Sequence, residues 1–414
     1  MRHLLRTAPS RRAASAAFPV AVVAALLLTP ALLAARAQDS APETPRAAAA
    51  AAAPTAYVAY GGYKEPGGVL RFAVDPQTGA LKAGLPPAVP PTGWPSPPAR
   101  LVLHPDGRSA YLTRPVGATM NKEGLTISQY AVSPDSAWRP LAPATLEVPE
   151  GLASSFVLAP DGRSAYTVST FSDTIWRYGV DPRTGALSRR TRDAVEAADA
   201  PPGARALAIK PGGDSAYAVG VRRLRRYRVG ADGALTAPEG GGGDLLTANW
   251  GSFPRPMVFG ADGRTAYVPD NGGGVVRAIA VGEGGGLSLL PSAARQTNEA
   301  PLDLAVTPDG RLAYLIYSTW NTKAVAQFSV AADGSLAPLA PARVPTGEEA
   351  EALAVEPGGR ALYVLCRVNG APQSKPDSGE IWQYRINADG TLTPLTPPVL
   401  KMKEVPRAIA FPRP

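Results

Sequence analysis

The chain repeats one short pattern, and that repetition decides most of what it can fold into. In its clearest copy, Ala153–Thr191, an apolar run at Phe156–Leu158 meets the turn Pro160-Asp161-Gly162, and a second run follows around Tyr166. A polar stretch leads to a third run, Ile175–Val180, then to the turn Asp181–Gly185 and a fourth short run. Asp-Gly and Thr-Gly between alternating apolar runs form hairpins, because those turns need residues that tolerate positive φ. One unit is therefore four antiparallel strands.

The turn recurs at Pro105-Asp106-Gly107, Pro211-Gly212-Gly213, Ala261-Asp262-Gly263, Pro308-Asp309-Gly310 and Pro357-Gly358-Gly359, at a spacing of about 47–55 residues. That is the period of a propeller blade. A tyrosine follows each turn at a constant offset: Tyr111, Tyr166, Tyr217, Tyr267, Tyr314 and Tyr363. The third run recurs seven times, around Phe72, Tyr130, Tyr178, Tyr227, Ile279, Phe328 and Tyr384, against six complete turns. The missing first strand is at the C-terminus, Pro406–Phe411, and its tyrosine partner, Tyr57, at the N-terminus. The expected fold is an all-β, seven-bladed β-propeller with four antiparallel strands per blade, one blade being closed by the two ends of the chain. Such closure leaves no free sheet edge between first and last blade.

Residues 1–37 read as an export signal. Arg2, Arg6, Arg11 and Arg12 precede an apolar stretch, Phe18–Leu33, and Ala35-Arg36-Ala37 is a small-x-small cleavage pattern. Pro19 and Pro30 disfavour the alternative, a retained spanning helix. Arg11-Arg12 leaves the export route open between the general and the twin-arginine pathways. Residues 38–54 are rich in Ala and Pro and read as a disordered linker; the propeller then fills residues 55–414. The expected location is secreted or periplasmic, with no membrane span after signal removal, and the expected state a monomer. The signal holds five of the 42 basic residues and none of the 34 acidic ones, so the remainder carries about +3. That balance gives no basis for nucleic-acid binding. The run Arg222–Arg228 falls on a third strand and is expected to face solvent. Cys366, the single cysteine, sits in an apolar second strand and reads as a buried, inert thiol.

Ligand sites of propellers lie where the loops leading into the innermost strands surround the channel. Seven residues ahead of each turn aspartate, that position holds Ala99, Ser154, Arg205, Arg255, Leu302, Glu351 and Arg407; the next holds Arg100, Ser155 and Asp303 among apolar residues. Arg205, Arg255 and Arg407 read either as braces between blades or as an anion-binding ring that Glu351 and Asp303 would partly neutralise. Trp94, Trp250 and Trp320 fall on loops of the same end and offer flat faces to a sugar, or pack the loops together. His104, the one histidine beyond the signal, precedes a turn at the opposite end. A Ser-His-Asp triad, a histidine metal site or a zinc cluster is thus not expected; a carboxylate-bound calcium stays open, although no Asp-x-Asp-x-Asp loop supports one, and no residue is assigned to a metal or cofactor.

The repeat Pro-Asp-Gly-Arg-x-x-Tyr, followed by a third strand and a Thr-Gly-x-Leu turn, resembles the seven-bladed lactonase family, which includes bacterial 6-phosphogluconolactonase. The resemblance covers Thr55–Pro414 and implies the propeller fold and hydrolysis of a sugar-type lactone. The family's more specific stretch is Gly-Pro-Arg-His leading to Phe-His-Pro, then Asn-Glu. Here it reads Phe253-Pro254-Arg255-Pro256 leading to Phe259-Gly260, then Pro269-Asp270-Asn271. Arg255 is kept, while Pro256 and Gly260 replace histidines. In the preceding blade Gly203-Ala204-Arg205 replaces a frequent His-x-His. Lactone hydrolysis needs a group to activate water and donors for the developing oxyanion. Arg205, Arg255 and Arg407 could be those donors and Asp270, Asp303 or Glu351 the base, with Asp270 and Glu351 foremost. A non-catalytic propeller that binds an anionic or saccharide ligand, or an envelope protein partner, is the alternative. N-terminal sequencing of the exported protein is expected to give a start near Gln38; an intact Met1 on membrane-bound material would identify an anchor instead.

Overall fold

The computed structural model describes residues 54–413, apart from segments 63–65, 93–95, 117–123, 134–136, 149–152, 170–173, 189–190, 193–205, 221–223, 239–254, 291–294, 318–321 and 370–376. The proposed signal and nearly all of the linker lie outside these residues.

Seven antiparallel sheets form the structure, each built on a path of four strands; in two of them a further short strand, Val89–Thr92 or Arg295–Gln296, pairs with the third strand beside the fourth. The strand before each Pro-Asp-Gly turn is the innermost: Arg100–Leu103 lies beside both Pro406–Ala410 and Ala153–Leu158, its counterparts in the flanking blades. The first blade is assembled from both ends of the chain. Pro406–Ala410 pairs with Thr55–Tyr60 in the register Tyr57↔Ala410, Val58↔Ile409 and Ala59↔Ala408. The blades are numbered here from that one, so that Arg100–Leu103 opens the second, Ala153–Leu158 the third, Ala206–Ile209 the fourth, Val258–Phe259 the fifth, Pro301–Val306 the sixth and Glu349–Val355 the seventh.

The turns form for the reasons their residues suggest. Gly107, Gly162, Gly263 and Gly310 adopt φ of 64–74°, where a Cβ would clash with the backbone. The aspartate before each accepts a backbone N–H two residues on, as in Arg108 N to Asp106 Oδ1 at 2.8 Å and Arg264 N to Asp262 Oδ1 at 2.9 Å. The outer hairpins use Asp181 similarly, its Oδ1 accepting from Arg183 N and Thr184 N.

Burial is organised between blades, one apolar cluster at each of the seven junctions. The last joins Val58, Phe72 and Leu81 of the first blade to Ala361, Leu365 and Ile381 of the seventh. The repeated tyrosine ties each junction. Its hydroxyl donates to the carbonyl of the outer-hairpin glycine in the next blade: Tyr111 to Gly185, Tyr166 to Gly233, Tyr217 to Gly285, Tyr267 to Gly334, Tyr314 to Gly390 and Tyr363 to Gly79. Burial pushes the Tyr111 and Tyr267 hydroxyls up to about 12, so they remain donors. At the remaining junction Tyr57 packs on Trp138, ring centroids 4.7 Å apart. Buried glutamines add a second tie in three blades: Gln129, Gln327 and Gln383 accept from Leu187 N, Leu392 N and Leu81 N of the following blade. The long outer strands Arg139–Val148, Leu336–Pro345 and Leu392–Met402 carry several prolines each, which blunts exposed edges.

Cys366 is buried in a second strand, and desolvation pushes its thiol up to about 12. The arginine run differs from expectation. Only Arg228 is exposed; Arg225 and Arg226 are half-buried, and Arg222 and Arg223 lie outside the described residues. The reason is that both faces of a third strand pack on neighbouring blades, and Arg226 opposes Tyr217 in register beside the next blade's outer hairpin.

Removing Val405–Pro414 deletes the first blade's inner strand and is expected to abolish the full-length melting transition. Tyr363→Phe leaves the buried Gly79 carbonyl without its donor and should lower unfolding free energy by about 1–3 kcal/mol in denaturant titrations. A truncated protein that melted like the intact one would contradict closure by the two ends.

Candidate functional site at the channel mouth

Each inner strand begins at the end of the ring opposite the Pro-Asp-Gly turns, and there four blades share an irregularity. The pairing slips at Ser154, Leu302, Glu351 and Arg407, each an extra residue between two that pair with consecutive partners. These are β-bulges, and they sit at the position seven residues ahead of the turn. A bulge re-aims its side chain and the next one. The following residues, Ser155, Asp303, Ala352 and Ala408, are back in register; Ser155 lines the channel cavity, as do Arg100 and Pro256 at the equivalent positions of the second and fifth blades.

Two of the side chains that follow a bulge reach the following inner strand. Ser155 Oγ accepts from Leu207 N at 3.3 Å. Asp303 Oδ2 accepts from Leu353 N at 3.3 Å, while its Oδ1 accepts from Leu304 N at 3.0 Å. Asp303 keeps part of its surface open to the channel, but its carboxylate is enclosed by the inner strands. Desolvation therefore raises its pKa above the usual carboxylate value; the nearby charges of Arg100 and Arg255 and the two backbone N–H groups oppose that rise without cancelling it. No carboxylate–guanidinium contact closes on Asp303 among the described residues. Arg100, half-buried in the channel wall, likewise forms no hydrogen bond or ion pair among them.

The other acidic candidates are placed differently. Asp270 ends the strand Thr265–Asp270 fully buried, with Oδ1 on Gly273 N at 3.1 Å and Oδ2 on Arg277 Nη2 at 3.3 Å. A Cβ at residue 273 would lie 2.5 Å from that carboxylate, so glycine is required for the turn to close on it. Glu351 binds Arg407 Nη1 at 2.7 Å, and Arg407 Nε donates to Gly61 O at 3.3 Å. That links the seventh and first blades. Arg367 completes the cluster, 3.2 Å from Glu349 and 3.4 Å from Asp377. Arg255 is half-buried, held by its backbone N–H on Pro269 O at 2.9 Å. Arg205, Trp94, Trp250 and Trp320 lie outside the described residues. Glu299, for which the sequence offered no signal, is bound by Arg343 at 2.8 Å and by Thr322 at 2.8 Å. His104 is at the far end, its Nε2 2.9 Å from Gly162 O and its Nδ1 2.7 Å from Asp106 Oδ1.

Below the mouth the channel opens into a cavity of about 730 Å³, its walls made by inner strands of the second to fifth blades. A buried carboxylate with raised proton affinity thus faces two guanidiniums above an enclosed volume. Such an arrangement can bind an anion, activate a water, or do both.

Comparison with known proteins agrees with this geometry. Residues 256–413 match the family described as "Lactonase, 7-bladed beta-propeller". That C-terminal part of the chain resembles lactonase-type seven-bladed propellers. Among solved structures, a candidate 6-phosphogluconolactonase from Bacteroides uniformis superposes with a TM-score of 0.68 at 20% identity, covering 87% of this chain and 99% of the other. A candidate 6-phosphogluconolactonase from Bacteroides fragilis gives 0.66 at 19%, with coverage of 87% and 98%. The periplasmic gluconolactonase PpgL of Pseudomonas aeruginosa gives 0.61 at 19%, with coverage of 86% and 99%. At such identities the likeness is one of fold. No protein of curated function matches the chain.

The raised pKa of Asp303 makes the stability of the protein depend on pH. The folded state binds a proton more tightly than the unfolded chain there, so this group's contribution to stability falls as pH rises from the ordinary carboxylate value through the raised one. In thermal melts the difference between Asp303→Asn and the unaltered protein should move in the variant's favour as pH rises above the ordinary carboxylate value of about 4. A pH-independent difference would mean that Asp303 is ionised at its ordinary value.

Proposed function

We propose that this propeller hydrolyses a lactone ring at the channel mouth, with Asp303 as the general base and Arg100 and Arg255 as the donors that hold the anion. The observation that carries the reading is Asp303 itself: of the mouth carboxylates weighed above, it alone is both desolvated and outside an ion pair. A base with raised proton affinity takes a proton from water more readily than an ordinary carboxylate. In the step envisaged, water oxygen bonds to the lactone carbonyl carbon while Asp303 accepts its proton. The negative charge that develops on the carbonyl oxygen falls to a guanidinium. Collapse breaks the ring C–O bond, and Asp303 returns the proton to the departing oxygen. The product is a hydroxy acid, which loses its acidic proton to solvent and leaves as a carboxylate. The apparent export signal, together with the periplasmic description of PpgL, favours action outside the cytoplasm on a sugar-type lactone or a related carboxylated sugar.

A binding-only role is the second reading, favoured by the position of His104 at the wrong end of the channel. Glucono-δ-lactone hydrolysis, measured above the spontaneous rate, separates the two. Asp303→Asn is expected to lower kcat by about 10²- to 10⁴-fold and Arg100→Ala by about 10²-fold. The activity of the unaltered protein should rise with pH through the Asp303 titration, and that rise should be absent from what remains in Asp303→Asn. If gluconate binds and Arg100→Ala abolishes its binding, but no aldonolactone turns over in the unaltered protein, the site is a receptor for the anion.

A further inference from the structure

The cavity beneath the mouth is built for something other than a sugar. Its walls are Val102, Val157, Leu207, Met257 and Phe259, and its charged lining consists of Arg100 near the mouth and Arg413 at the other end. Among the described residues no acidic side chain lines it. From Arg100 to Pro105 the inner strand of the second blade runs the depth of this space, on the order of 17 Å at about 3.3 Å per residue. Its volume of about 730 Å³ is that of a small-molecule site. A polyol placed there would leave hydroxyl groups against valine, leucine and phenylalanine without partners, which is unfavourable. A hydrocarbon chain meets no such penalty.

We propose that the channel receives the alkyl tail of an amphipathic carboxylate, its head on Arg100, so that the preferred ligand of this protein is an alkyl-substituted hydroxy acid or the lactone that yields it. Arg100 is the anchor because its guanidinium lines the cavity at the mouth and has no hydrogen-bond or ion-pair partner among the described residues. An apolar tube with a cation at its rim matches a chain ending in a carboxylate. The lactone half of this statement rests on the hydrolase reading; the binding of the tail does not.

Calorimetric titration of the full-length mature protein with hexanoate, octanoate, decanoate and gluconate provides the test. Affinity is expected to rise about fourfold per methylene along the alkyl series and to fall about 10- to 100-fold in Arg100→Ala. Val157→Trp should fill the channel and remove the dependence on chain length; Val157→Ser, which adds no bulk, should weaken it if the larger residue prevents folding. Gluconate binding without any alkyl-series binding would overturn the inference and leave the hydrolase reading intact. Length-dependent binding by a protein that opens no lactone would do the reverse. Length dependence that survives Arg100→Ala unchanged would also overturn the proposal.

Discussion

The hydrogen bond from a buried tyrosine to the next blade's outer glycine is the interaction on which this architecture depends. A blade has little apolar interior of its own. Its two faces are covered only when neighbours press against them, and the tyrosine fixes how far around the ring the neighbour sits. Six such bonds run in one direction, and the one from Tyr363 to Gly79 joins the seventh blade to the first. The hairpin glycine at positive φ brings its carbonyl within reach; beside it sits a small residue at five junctions (Ser109, Ser164, Ser215, Thr265 and Ala361) and Leu312 at the sixth. Tyr57 and Trp138 make the remaining junction by ring packing, so the seam is apolar there.

Irregular pairing occurs in both outer and inner strands. Bulges at Ser154, Leu302, Glu351 and Arg407 interrupt pairing on the mouth side only. They make the mouth a place where side chains leave the sheet alternation and reach another blade. Two outcomes follow from one device. Glu351 and Arg407 find each other and become part of the closure, whereas the Asp303 carboxylate reaches only backbone N–H groups among the described residues.

Three carboxylates near one rim thus have three fates set by their surroundings. Asp270 is enclosed with Arg277 and a glycine turn, Glu351 lies between Arg407 and Arg367, and Asp303 is desolvated with its cations at a distance. Burial with a paired cation makes a strut. Burial without a contact partner makes a group whose proton is easily gained, which is what a base in an enclosed site requires. The apolar channel strengthens this effect, since few dipoles are available there to solvate a charge.

Blade number, the hairpin turns, the pairing of Pro406–Ala410 with Thr55–Tyr60 and the burial of Cys366 were all legible from residue order. Each depends on local chemistry: an Asp-Gly turn, an alternation of period two, a count of repeats. The offset shared by Arg255, Glu351 and Arg407 was legible too, but not its meaning. Arg407 meets a carboxylate 56 residues away in another blade, and Asp303 feels the charge of Arg100 from across the ring. Which acid is paired and which is free depends on distances between strands far apart in sequence, and a linear repeat, identical in every blade, carries no information about those distances. Only ring closure sets them.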